Sequence, residues 1–485
     1  MKINNVAFRL IKIKITKYLC KDYADFTPID NSHIYHFIMI AKKQKQIFVL
    51  LFLCNMLQFM NLTALAVAKT DIQSTLNISD ALMGIILSAA TWGLAPFNII
   101  GGIAADKFGP KKVLLIACVC WSLATGAICL ASTFIGLLIV QICFGISQGP
   151  LGVGTNKTID LWFAPRKKST IMGFICAGTP LGAALIFPVV SYFSNNSKWE
   201  YAFLFIMILG LVWAVIWSII VPKKSPKPDD IKYLFDYQAA SNKIYQKTKN
   251  PPTIYKYVDI KIKQNVRLKY YLTQKTIIFS SIAFFSYNYI LFFFLTWYPS
   301  YMQSPVEKGG LGISPHIAMM VQFIPWILGF IALALGGKIA DHFTIRLQDK
   351  SDRLKAKKNI IGFGLIISGV SVIIASKADS NNIQLAIIMI SIVVASLYLT
   401  GGLFWGIIND VVNSNSSGVV GGIMHATGNT AGIFAPIITG FIVQATSNYG
   451  NAFLIAGCIG ILGGGSALIF IRQLNTVKIE KYIKN

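Results

Sequence analysis

The feature that most constrains this chain is a series of uncharged apolar runs, each close to twenty residues long and separated by polar connections. A helix rises 1.5 Å per residue, so about 20 residues cross a hydrocarbon core about 30 Å thick. The runs are continuously apolar and do not alternate over segments of about ten residues, which predicts helices rather than a barrel. Only 13% of the 485 residues are charged, against about 25% in soluble domains. Most of the chain must therefore dissolve in lipid. The expected spans are 47–68, 81–103, 113–131, 135–156, 170–193, 201–221, 276–301, 315–337, 359–376, 383–408, 418–445 and 450–472, twelve in all.

The formal net charge of +25 does not point to nucleic acid as a partner, because the basic residues fall in short segments between apolar runs. Alternate connections carry them: Lys107, Lys111 and Lys112, then Arg166, Lys167 and Lys168, then the stretch from Arg346 to Lys358. The intervening connections hold only Lys69, Lys198, Lys308 and Lys377. The positive-inside rule places both termini in the cytoplasm, in a plasma membrane or bacterial inner membrane. The eight cysteines lie almost entirely inside apolar runs without CxxC or Cys/His metal spacing, and read as small core residues. No cofactor is expected.

Residues 1–46 carry nine Lys/Arg against three Asp and are expected to form a partly disordered cytoplasmic arm. Translation from Met1 and from Met39 both fit, since the segment after Met39 is an ordinary lead into a first span. Between spans six and seven, residues 222–275 are rich in Pro and Lys and read as a cytoplasmic linker resting on anionic lipid; residues 473–485 form a tail. This linker divides the chain into six-helix halves, 47–221 and 276–472, which echo each other. Gly102-Ile-Ala-Ala-Asp106 after span two recurs as Gly337-Lys-Ile-Ala-Asp341 after span eight. Gly178-x-x-x-Gly182 in span five recurs as Gly428-x-x-x-Gly432 in span eleven, and small residues four apart let helices approach closely.

Gly102, Asp106, Lys107, Gly109, Lys111 and Lys112 together resemble the loop signature G-x-x-x-D-[RK]-x-G-x-[RK]-[RK] of the major facilitator superfamily. The resemblance implies an all-α integral membrane protein with twelve transmembrane helices in two six-helix bundles, in which this loop is a conformational latch. The residue types alone expect the glycines to permit a tight turn and Asp106 to sit near the start of the next helix, paired with the basic cluster. A narrower similarity, from about Ile47 to Ile471, is to the anion:cation symporter branch, the galactonate, glucarate and hexuronate permeases and their sialin-like relatives. It is carried by Asn61-Leu62-Thr63, Gly145 with Gly149-Pro150, Asn156-Lys157 through Trp162-Phe163, and the segment Phe294 to Tyr301. It implies import of a small organic anion such as a sugar acid, with a proton.

The chain departs from that branch at four charges. Where the branch has Asp-Arg in span one, this chain has Gln58 and Phe59; where it has Arg and Glu in span four, Gln141 and Gln148 stand. One titratable side chain remains at mid-span, His425, and an ionisable group at membrane depth is a functional hypothesis by default. An ordinary imidazole pKa near 6.5 suits proton binding; the plainer reading is a neutral histidine bonded between helices. The candidate substrate-binding set is Gln58, Asn61, Gln141, Gln148, Thr179, Tyr287, Asn288, Trp405, His425 and Asn429. Gln141 and Gln148, seven apart, share a helix face, as do Gln58 and Asn61. The aromatic run Phe292 to Phe294 and the pair Trp297-Tyr298 are expected to face lipid or form an interfacial belt.

The sequence thus reads as a monomeric secondary active or facilitative transporter that moves a small polar metabolite by alternating access, with a coupling proton and membrane lipid as its other partners. The family points to an organic anion; the neutral candidate residues point to a neutral or zwitterionic solute, or to uniport. An organophosphate antiporter would want mid-span arginine, and there is none. A drug exporter fits the polar cavity poorly. A transporter-like sensor signalling through its cytoplasmic segments is the reading from another class. No P-loop, HExxH motif or catalytic Ser/His/Asp set supports an enzyme.

Overall fold

A computed structural model describes residues 31–163, 168–196, 198–226, 268–345, 350–378, 382–412 and 414–472. Most of the expected N-terminal arm, linker and tail lie outside the described residues, as do Arg166, Lys167 and Arg346. The helices are α1 (Asn31–Val67), α2 (Lys69–Leu76), α3 (Asp80–Phe108), α4 (Pro110–Ala127), α5 (Phe134–Gln148), α6 (Pro150–Trp162), α7 (Lys168–Cys176), α8 (Gly178–Asn196), α9 (Glu200–Ile220), α10 (Leu268–Leu272), α11 (Lys275–Gln303), α12 (Pro315–Ile345), α13 (Lys350–Ala375), α14 (Ile383–Gly401), α15 (Leu403–Val411), α16 (Ser414–Asn429), α17 (Ala431–Thr446) and α18 (Tyr449–Phe470). Among the described residues eleven segments are long and apolar enough to cross a membrane, and a further apolar stretch, Val321–Leu335, lies within α12. They correspond to the twelve expected spans.

Two differences have physical causes. The first span does not begin at residue 47: its helix runs back to Asn31. Lysine and glutamine are good helix formers, so nothing breaks the helix there. The polar turn is also docked, with Lys43 Nζ donating to the Ile220 carbonyl at 2.8 Å and Gln44 Nε2 to the Trp162 carbonyl at 2.6 Å. Spans four, five, ten and eleven, moreover, are each bent into two helices, α5/α6, α7/α8, α14/α15 and α16/α17. At the first bend Pro150 has no N–H and its ring crowds the carbonyl four residues back. Gly149 keeps helical angles (φ −47°, ψ −46°), so the axis bends without a gap. The bent spans occupy corresponding places in the two halves.

In the first bundle α1 packs on α8, α3 on α5 and α4 on α9; in the second, α11 and α13 pack on α18, and α12 on α14. The bundles meet along α3–α17, α8–α12 and α1–α11. The paired small-residue motifs do what their spacing predicts. A β-carbon on Gly178 would stand 2.6 Å from the Phe52 carbonyl oxygen and one on Gly182 would overlap that of Met56, which seats α8 against α1. A β-carbon on Gly428 would meet the Phe284 ring, and one on Gly432 would lie 2.8 Å from Thr91 Oγ1, which seats span eleven against α11 and α3.

A second repeat sits at the helix ends. Lys111, opening α4, donates to the Ser218 carbonyl at 2.8 Å, and Lys358, in α13, donates to the Leu468 carbonyl at 3.1 Å. Each carbonyl lies in the final turn of the sixth span of its half, where unpaired oxygens and the negative end of the helix dipole favour a cation.

The tightest approach inside the first bundle is Gly145, where a β-carbon would overlap the Ala90 carbonyl. Gly145→Ala is expected to destabilise by about 1–3 kcal/mol, the usual cost of overpacking, and to lower the melting temperature of the detergent-solubilised protein. Gly152→Ala, with nothing within 4 Å of the new carbon, serves as the neutral control.

Candidate functional site

The bundles are sealed together at the end of the molecule that carries α2. Lys69, only 2% exposed, donates to Asp80 Oδ1 at 2.9 Å, and Gln73 Nε2 donates to the same oxygen at 3.2 Å. The Lys69 ammonium also lies 3.6 Å from the centre of the Trp297 ring, so a cation of the first bundle rests on an aromatic face of the second. Trp297 Nε1 donates in turn to the Pro436 carbonyl of α17 at 3.2 Å. Alongside, Gln444 accepts from the Ala81 N–H at 3.0 Å, and Gly84 and Gly440 let α3 and α17 touch backbone to backbone. Burial pulls the Lys69 pKa down from 10.5 to about 8, against the opposing pull of Asp80, and nearby Lys308 adds to the lowering.

Trp297 corrects the expected aromatic belt. Phe293, Phe294, Trp297 and Tyr298 are all at most 1% exposed, because α11 is packed by α1, α16, α17 and α18 and has little face left for lipid. Their rings pack mostly on other aromatics, as Phe293 and Phe294 do on Phe453.

Nearer the middle, the candidate residues fall into two groups. In the first bundle Gln58 Nε2 donates to Gln148 Oε1 at 3.4 Å, joining α1 to α5, and Gln148 Nε2 is buried without a protein partner. Gln141 is buried one face-repeat away. Asn61 does not join them: its Oδ1 accepts from Thr125 at 2.6 Å and its Nδ2 donates to the Leu57 carbonyl, so its amide ties α1 to α4. In the second bundle the His425 ring lies between Trp405 (centroids 4.5 Å apart, planes 27°) and Phe284 (4.6 Å), and its Nε2 is buried with no protein partner. Tyr287 stacks on Phe284 and meets Phe404 edge-on, both at 5.7 Å. Asn288 Nδ2 is used on the Phe284 carbonyl at 2.8 Å. Asn429 is half-buried at the α16/α17 bend.

Two residues link the groups. Thr179, at the α7/α8 bend, donates to the Cys176 carbonyl at 2.8 Å. Tyr398, from α14 of the other bundle, reaches Thr179, with Tyr287 and Cys176 also within its electrostatic range. The arrangement is a set of neutral donors and acceptors with aromatic walls. It can bind a polar solute by directed hydrogen bonds, and among the described residues of this set His425 is the one side chain of a type that ordinarily titrates near neutral pH.

At the opposite end Asp106 does not pair with its own basic cluster. It occupies the last turn of α3, not the start of α4, and accepts from Lys157 of α6 at 2.6 Å. An acid near a helix C-terminus is disfavoured by the dipole, and Lys157 offsets this across the bundle. Gly109 makes the expected turn with φ +82°. Lys111 is drawn off to the Ser218 carbonyl, Lys107 lies 5.4 Å from the Phe108 ring and Lys112 is exposed. Gly102 faces α6 through Val153 at 3.4 Å from its would-be β-carbon. Asp341 lies in α12. Lys357 and Asp410, at 2.7 Å, make a half-buried pair joining α13 to α15.

The sequence reading passed over Lys69, Asp80, Tyr398 and the Lys357–Asp410 pair. A lysine and an aspartate flanking one short connection were a usable signal for the first pair; a lone tyrosine in an apolar run was not. Among the described residues no group of three or more His, Cys, Asp or Glu is placed to hold a metal ion.

The sequence pattern of the Major Facilitator Superfamily matches residues 51–348. Over 439 residues the chain is 36% identical to the hexuronate transporter of Bacillus subtilis (strain 168), covering 90% of this chain and 96% of that one. It is 25% identical to a probable galactarate/D-glucarate transporter of the same organism (95% and 97% covered) and 24% identical to the D-galactonate transporter of Escherichia coli O6:H1 (88% and 96%). Among solved structures it resembles a bacterial homologue of the human lysosomal transporter Spinster. In its inward-facing, occupied form that protein gives a TM-score of 0.60 at 16% identity over 88% of this chain and 94% of that one; the unoccupied form gives 0.62 at 15% over 91% and 96%.

Proposed function

Because this chain belongs to the Major Facilitator Superfamily, and therefore moves a small polar metabolite through an integral membrane protein by alternating access, we propose that its cargo is a hexuronate or closely similar sugar acid. The observation that carries this is the likeness to the hexuronate transporter over nine-tenths of the chain. The neutral hydrogen-bonding set at Gln58, Gln148, Thr179 and Tyr287 suits the hydroxyls of a sugar.

The carboxylate requires more. An unpaired charge is costly at membrane depth, and the site offers no fixed cation. We propose that His425 supplies one only when protonated: imidazolium and carboxylate each lower the cost of the other, so proton and anion bind together. The α2 end is then the outer one, since Lys107, Lys111, Lys112 and Lys157 gather at the other, and the sealed outer seam corresponds to an inward-facing state. On this reading the carrier sits in the plasma membrane with both termini in the cytoplasm and works as a monomer.

Proteoliposomes test both points. Glucuronate is expected to accumulate under an inward proton gradient while a neutral hexose does not, and His425→Ala, which removes the one cation offered to the carboxylate, is expected to lower both proton-driven accumulation and glucuronate exchange at least tenfold. Stabilisation and uptake of neutral sugars or amino acids alone would sink the sugar-acid reading, and full proton-driven uptake by His425→Ala would sink the role of the histidine. The neutral or zwitterionic cargo remains the second reading, favoured by the glutamines at positions 58, 141 and 148.

A further inference from the structure

We propose that Tyr398, which none of the motifs singles out, contacts the substrate and sets specificity for a sugar hydroxyl; this rests on the sugar-acid reading above. Its ring is held rigidly: it meets Trp326 edge-on at 6.4 Å, and a β-carbon on Gly329 would stand 2.7 Å from it, so α12 carries glycine where the ring lies. The residue is 3% exposed, and this packing fixes where the hydroxyl points.

That hydroxyl is buried and makes no well-aligned hydrogen bond to any protein group. Unpartnered buried hydroxyls occur elsewhere among the described residues, at Ser280 and Ser391 for example. Tyr398 differs in its surroundings. The polar group it approaches, Thr179, belongs to the opposite bundle, and Tyr287 and Cys176 complete the same neighbourhood. Thr179 has already committed its proton to the Cys176 carbonyl, so it can only accept from Tyr398. The tyrosine oxygen therefore keeps its lone pairs uncommitted.

Gln148 Nε2 and His425 Nε2 are the other two buried, unpartnered polar atoms in the candidate site. The three come from spans four, ten and eleven, and between them offer an amide donor, a phenolic oxygen that accepts, and an imidazole. A sugar acid carries complementary groups, a carboxylate for the imidazole and hydroxyls for the amide and phenol. A site that hydrogen-bonds a substrate hydroxyl rejects the analogue lacking it far more strongly than an apolar pocket discriminates by size.

The test compares wild type with Tyr398→Phe in proteoliposomes, using glucuronate and its singly deoxygenated analogues. The variant is expected to raise the KM for glucuronate about tenfold, with the maximal rate within about twofold. It is also expected to lose the wild type's preference for glucuronate over one deoxy analogue. The melting temperature without substrate stays put and its rise on adding glucuronate shrinks. An unchanged KM with the preference intact overturns the proposal, as does a fall in maximal rate and melting temperature at unchanged KM, which is the signature of packing alone. Should Tyr398→Phe fold poorly, the wild type carries the test by itself: at least one singly deoxygenated analogue must raise its melting temperature less than glucuronate does, and equal stabilisation by every analogue overturns the proposal. Failure of the wild type to transport glucuronate at all would instead strike the sugar-acid reading.

Discussion

Gly84→Val and Gly440→Val are each expected to yield a folded, inserted protein whose uptake is reduced more than about a hundredfold. The two glycines face each other where α3 crosses α17. A β-carbon on Gly84 would stand 2.5 Å from the Pro436 carbonyl oxygen and 3.3 Å from Gly440 Cα, and one on Gly440 would stand 2.6 Å from the Asp80 carbonyl oxygen and 3.2 Å from the Trp297 ring. These obstacles are largely backbone and cannot rotate away. They lie between the bundles rather than inside one, so the substitution excludes a state instead of breaking a core. To move an equilibrium from 1:99 to 99:1 takes about 5.5 kcal/mol, within reach of a branched side chain forced against backbone. The check is uptake paired with thermal unfolding: lost uptake at near-normal stability supports a blocked seam, whereas equal loss of both assigns the glycines to folding.

The second large effect is expected at Lys69. Lys69→Met leaves Asp80 without its counter-charge and removes the cation from the Trp297 face, and breaking a buried pair by deleting one partner costs about 3–5 kcal/mol. The cost falls on the sealed form, so the seam should open more often. A cysteine placed at Thr91, buried on α3 beside Gly432, in a background without reactive native cysteines, should react at least tenfold faster with an impermeant thiol reagent added on the α2 side. Adding Asp80→Asn removes the stranded charge and should recover part of the closure. An unaltered labelling rate in Lys69→Met would remove the ion pair from the seam.

The architecture was legible in sequence because lipid leaves few choices. Backbone groups must be satisfied within each span, so uncharged runs declare themselves as helices. His425 was legible for the same reason, as a titratable group where such groups are costly. What could not be read were partnerships made by tertiary packing. Asp106 pairs with Lys157, fifty-one positions away, and not with the lysines beside it, since the pairing depends on which face of α3 meets α6. Trp297 and Tyr298 were assigned to a lipid interface because aromatics near the end of a span usually sit there; α11 instead runs through the interior of its bundle. Asn61 was grouped with Gln58 from a spacing of three, yet one amide turns to α5 and the other to α4. Helical spacing gives a face, not the neighbour that face will meet.

The histidine among the aromatic rings of α11, α15 and α16 has an energetic consequence for the cell. If one proton rides with each monovalent sugar acid, the loaded site carries no net charge and the empty one carries none either. Membrane voltage then does no work on either crossing. The gradient such a carrier can build is set by acidity alone, roughly tenfold per unit of pH difference, and depolarisation would leave it untouched.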